Sequence, residues 1–238
     1  MPVTLSAVAF LVAAVWWTIG DMLVVGFAEP DADAERDFVD YMGSDMHLHQ
    51  LGASETRLKW GALTLVLTVP VMLAGMWVHW VVADGSALAI AGLALLACGI
   101  SLAPLAHTAF YYLGTTSQHA HRLWLRHKGG DAGVDRAAVD SARDVAVAAR
   151  RILFWPWVPA VAGMVIGQFL WAVAVALGQT TLPWWAVFFT GPVWLVPCLL
   201  LPKLPYPGKP YLDGAAFNLA ALIWAVALVV LVLAGYAG

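Results

Sequence analysis

Six stretches of the sequence, about residues 5–27, 58–82, 86–114, 152–177, 184–201 and 211–237, are apolar almost throughout. A helix needs roughly 20 such residues to cross a hydrocarbon core of about 30 Å, and the buried helices of soluble cores are shorter. The pattern predicts an all-α, polytopic membrane bundle of about six transmembrane helices in a single domain. Composition agrees: 62% of the 238 residues are hydrophobic and 11% are charged, against roughly a quarter charged in a soluble domain. Cys98 and Cys198 both fall inside apolar runs, which makes them packing residues rather than a disulfide or a thiolate metal site. A formal charge of −3 points away from a nucleic-acid partner. No Lys or Arg precedes the first run, so an uncleaved helix is expected there rather than a signal peptide.

The twelve Lys and Arg residues fix an expected orientation. Arg36, Arg57 and Lys59 lie in or just after the first loop, seven lie between Arg122 and Arg151, and Lys203 and Lys209 lie in the fifth loop. Basic residues concentrate on the cytoplasmic side of membrane proteins. Segments 28–57 and 115–151 are therefore expected in the cytoplasm and both termini on the opposite side. Trp77, Trp80, Trp184 and Trp185 then fall at the outer interface and Trp60, Trp155 and Trp157 at the inner one, where amphipathic rings prefer to sit. From Val134 to Arg151 the residues favour helix, continuing into the fourth run through Pro156 and Pro159, either of which is able to kink it.

Polar groups inside the apolar runs are the candidates for function, because an ionisable side chain there faces the bundle interior and finds a partner. Asp21 and His107 lie six and seven residues before the inner ends of their runs, and Asn218 seven after the start of its own. At about 1.5 Å of rise per residue all three fall roughly 10 Å below the inner boundary. Thr18 shares a helix face with Asp21, and Tyr111 with His107. Ser54 and Arg57 begin the second run. The expected site pairs His107, as general acid or base, with Asp21, which holds its tautomer. Arg57 is expected to grip an anionic headgroup, and Asn218, Tyr111, Ser54 and Thr18 to contact the bound molecule.

His47-x-His49 and His119-x-His121 include metal-ligand types, but that spacing puts the two rings of each pair on opposite sides of a helix. Solvated loop histidines are the simpler expectation, and no cofactor is implied by any motif. Gly163 and Gly167 form a GxxxG pattern that admits a closely packed helix, from this chain, a second copy or a membrane-complex partner. A rhodopsin-like chromophore site would need a lysine in the last run, and none is present.

The ordered set Gly20-Asp21, Ser54-x-x-Arg57, Pro104-x-x-His107 and the proline-rich turn before Asn218 resembles a bacterial family of multi-spanning membrane proteins of unassigned function. That resemblance implies an architecture and no mechanism. The expected role is therefore an intramembrane enzyme or binding protein for a lipid-like molecule, partnered by membrane lipids. The alternatives are an inverted-repeat transporter, with Pro70 and Pro192/Pro197 breaking corresponding helices, and a helical subunit of a larger complex.

Overall fold

The computed structural model describes every residue except 29, 32, 208, 237 and 238; two positions of the first loop and the end of the sixth run thus lie outside the described residues. Among the described residues eight α-helices follow one another: α1 (Val3–Val24), α2 (Arg36–Met42), α3 (Glu55–Gly75), α4 (Trp77–Val82), α5 (Ala87–Lys128), α6 (Arg136–Ala176), α7 (Gly191–Leu200) and α8 (Ala216–Leu233). Short 3-10 turns occupy Asp45–Gln50, Trp184–Phe189 and Leu201–Lys203, and no strand occurs among the described residues. Among the described residues six segments are long and apolar enough to cross a membrane: α1, α3 with α4, α5, α6, Trp184–Lys203 and α8. Leu67, Leu105, Ile166, Phe169, Val196 and Val230 turn outward from these segments rather than into the core.

The long helices close a ring in which α1 packs on α3 and α8, α3 on α5, α5 on α6, α6 on α7, and α7 on α8. The seam between α6 and the α7–α8 pair is the loosest of the ring. At the tightest seam, α5 against α6, a Cβ on Gly167 would come within 2.7 Å of the Gly92 carbonyl oxygen, and one on Gly163 within 2.9 Å of the Leu95 carbonyl. Only glycine lets the two backbones approach so closely. The closely packed helix admitted by the GxxxG pattern is α5 of the same chain.

Segment 115–151 is helical except at 129–135. Helix α5 runs 42 residues and α6 41, without interruption at Pro104, Pro156 or Pro159, so each is about 60 Å long, twice a hydrocarbon core. Apolarity ends near Gly114, but nothing in residues 115–128 breaks a helix until Gly129-Gly130. The projecting halves carry basic residues and are covered by the first loop. Phe38, Met42 and Leu48 pack against Ala120, Ala142 and Ala146, and the Gln118 amide donates to the carbonyls of Gln50 and Ala53, at 2.8 Å each. Tyr41 stacks on Trp124 with centroids 4.5 Å apart and donates to Asp140. Burial, and then that carboxylate, push its phenol up to about 12.

The second apolar run breaks at Met76, not at Pro70, which sits inside a continuous α3. The fifth breaks at Thr190, where extended backbone separates a 3-10 turn from α7 and Pro192 occupies the new helix's first turn. Proline breaks at corresponding places of two halves are therefore not formed.

Candidate functional site

Near the basic end of the ring, His107 Nε2 on α5 stands 3.2 Å from Asp21 Oδ1 on α1, both side chains largely buried. Asn218 at the start of α8 donates from Nδ2 to Asp21 Oδ2 at 2.6 Å and to the Trp17 carbonyl at 3.3 Å. Three helices distant in sequence thus meet at one carboxylate, which accepts from Asn218 at Oδ2 and has the His107 imidazole beside Oδ1. The other imidazole nitrogen of His107 is Nδ1. That Nδ1 is buried and has no hydrogen-bond partner. The indole Nε1 of Trp17 is likewise buried and unpartnered.

Asp21, His107, Asn218 and Trp17 line a cavity of about 200 Å³, closed by Phe110, Trp157 and Phe217 among others. A second cavity of about 340 Å³ lies beside it, with Trp17, Met164, Phe217 and Asn218 lining both. Its walls come from all six long segments and are apolar apart from Asn218, Trp17 and Gln168. Exposed Ile166 and Phe169 of α6, with Pro192 and Leu195 of α7, line its outer side, at the loosest seam of the ring.

Asp21, His107 and Asn218 therefore converge, whereas four other expected site residues are engaged elsewhere. Arg57 donates to the carbonyls of Met22 and Gly26 at 2.5 and 2.6 Å, with the rings of Phe27 and Tyr211 5.0 and 5.4 Å from its guanidinium carbon. The last carbonyls of a helix have no intrahelical donor, and the nearest cation closes the end of α1. Ser54 caps α3, accepting from the Arg57 amide at 3.2 Å. Thr18 donates to the Ala14 carbonyl one turn back, at 2.9 Å. Tyr111, a full turn nearer the basic end than His107, reaches across to α3 and donates to Glu55 at 3.1 Å. None of the four lines the cavity.

The histidine pairs are separated by helical geometry. His47 is fully buried with Nδ1 2.8 Å from Ser117 Oγ, while His49 is half-buried in the same 3-10 turn. His119 is exposed on α5, and His121 meets Glu35 at 2.9 Å. Among the described residues no cluster of three metal-ligating side chains forms.

Two features have no counterpart in the sequence reading. Trp17 sits four residues before Asp21, on the same helix face, and that spacing was the available signal. His79 of α4 is buried between Phe10 and Trp171, with Trp224 Nε1 donating to its Nε2 at 2.9 Å. It plugs the far end of the core, and neither cavity reaches it. No protein-family model, curated protein or solved structure matches the chain.

Proposed function

We propose that the chain is an integral, multi-pass membrane protein with its basic end in the cytoplasm and both termini outside, and that its helix ring takes up a lipid-like or other apolar small molecule from the cytoplasmic leaflet. The observation that carries this reading is an apolar chamber, bordered at a loose seam by outward-facing Ile166 and Phe169, that shares Trp17, Met164, Phe217 and Asn218 with a polar pocket containing His107, Asp21 and Asn218. Gathering all the Lys and Arg residues at one end supports the orientation, and the cost of placing an acid and an imidazole inside an apolar bundle supports a role beyond packing. His107, paired with Asp21, is the group placed to exchange a proton with a bound molecule. Asn218 holds the carboxylate in place. Arg57, tied to α1, takes no part.

Mass spectrometry of organic extracts from purified protein tests the uptake. The native chain should carry an apolar small molecule at near-stoichiometric amount, and Ala221→Phe, which fills the chamber, should lose it. Equal extracts from the two proteins, or none enriched over the solubilising lipid, would sink the proposal.

A further inference from the structure

The apolar chamber is lined by residues from more than one side of α6: Met164 and Gln168, but also Ile166 and Phe169. At about 100° of turn per residue, Ile166 lies roughly 160° around the helix from both Met164 and Gln168. The chamber therefore reaches past one edge of α6 to its outward face. The edge toward α5 is shut, because Gly163 and Gly167 pack there against the Leu95 and Gly92 carbonyls. The open edge is the one toward α7, whose Pro192 and Leu195 complete the wall.

What closes that edge differs from what closes other seams of the ring. A Cβ on Gly167, or on Gly75 where α3 meets α1, would strike the backbone of the neighbouring helix, at 2.7 Å from the Gly92 oxygen and 2.5 Å from the Phe10 nitrogen. At Gly191, the first residue of α7, the three nearest atoms to such a Cβ all belong to one side-chain amide, that of Gln168, with Cδ at 2.8 Å and Nε2 at 3.5 Å. Gln168 is half-buried, and among the described residues no hydrogen bond fastens its amide. A loosely held side chain moves aside by changing rotamer, whereas a seam of touching backbones opens only by parting two helices.

Resting on the uptake reading above, we propose that the chamber fills sideways from the hydrocarbon core of the bilayer, through the α6–α7 edge, and that the Gln168 side chain lying over Gly191 is the gate. Ile166 lies near the middle of the apolar run 152–177, at a depth where a charged group is costly, so the part of a molecule that passes there is uncharged.

The test uses the full chain in phosphatidylcholine nanodiscs with Cys98→Ser, Cys198→Ala, Gln168→Cys and Gly191→Cys, the last pair joined by a two-carbon bis-methanethiosulfonate bridge that reductant removes. The probe is tetradecane bearing a mid-chain diazirine, supplied from vesicles and located by mass spectrometry after brief illumination at successive times. Bridging should slow labelling of the chamber-lining parts of α6 and α8 by about tenfold or more, the effect of a modestly raised barrier, and reduction should restore it. Probe loaded before bridging should leave more slowly by the same factor, since a gate changes both rates and not the equilibrium. Gln168→Ala alone, which needs no bridge, should speed entry and exit together. The same reagent across Ser86→Cys and Gln179→Cys, side chains that meet at 3.3 Å away from this edge, should change neither rate. Equal rates with and without the 168–191 bridge, equal slowing by the 86–179 bridge, or unchanged rates in Gln168→Ala would overturn the gate and leave uptake standing. Absence of chamber labelling in the unsubstituted chain removes the uptake reading, and the gate with it.

Discussion

Ser6 and Val78 meet where α1 crosses the break between α3 and α4: the Ser6 hydroxyl accepts from the Val78 amide at 2.7 Å and donates to the Gly75 carbonyl at 2.9 Å. The break frees a donor and an acceptor in apolar surroundings, and one fully buried side chain from another helix satisfies both.

Ser6→Ala should therefore cost about 1–3 kcal/mol, the penalty for leaving a buried backbone group unsatisfied. The melting temperature in detergent should fall, and amide exchange should accelerate at Val78 before it does in the middle of α3. Unchanged exchange at Val78 would show that the hydroxyl is not what holds the break.

The network around Asp21 makes a prediction about coupling rather than loss alone. Asn218→Leu removes the donor to Oδ2 and should cost about 2 kcal/mol, as for a hydrogen bond to a charged group. In a background already carrying Asp21→Asn the same substitution should cost less, by a coupling of about 1–2 kcal/mol, since residues of one network are not additive. Strictly additive losses in a double-mutant cycle would mean the two side chains act separately.

At the α5–α6 seam, Gly167→Leu should force the helices apart, because a Cβ there already meets Gly92 and Leu96 backbone atoms at 2.7 Å. Overpacking of this kind costs about 1–3 kcal/mol. Disulfide trapping between cysteines placed on facing α5 and α6 positions should weaken in the variant. Native-level trapping would show that the seam has slack.

What the sequence made legible was whatever has a strong cost attached. Asp21, His107 and Asn218 could be grouped because polar groups at one depth in apolar runs must compensate one another, and depth follows from counting residues. Arg57, Ser54, Thr18 and Tyr111 shared that depth or face, yet each had a nearer partner that a periodicity argument does not see: open helix-end carbonyls, a helix start, a carbonyl one turn back, and the Glu55 carboxylate. Trp17 escaped because an aromatic in an apolar run carries no signal except its spacing from Asp21. The length of α5 escaped because hydropathy reports where a membrane would end, whereas a helix ends where its backbone is broken, here at Gly129-Gly130. His79 lies between Trp77 and Trp80, and the tryptophans' reading as an interfacial belt hid a buried imidazole.

The last prediction concerns the cap over the projecting halves of α5 and α6. His47, in the 3-10 turn Asp45–Gln50, is fully buried against Ser117. Burial first, and then the nearby guanidiniums of Arg150 and Arg143, push its imidazole down from 6.5 to about 4. A histidine whose folded value lies below its unfolded one stabilises the fold as the neutral base. That contribution is complete above about pH 6.5, where both states are neutral, and it is lost as pH falls through about 4, because the unfolded chain takes up the proton first. The native protein should therefore lose melting temperature between these two values. His47→Asn keeps a side-chain amide able to reach Ser117 but does not titrate, so it should show a flatter profile over the same window while being less stable near pH 7.5. The nearby pairs His121–Glu35 and Asp140–Tyr41 are common to both proteins and cancel in the difference. Limited proteolysis should follow the same curve, with the segment around Met42–Leu51 cut in acid before the long helices are. Parallel profiles for the native and His47→Asn proteins would show that this imidazole does not set the acid stability of the cap.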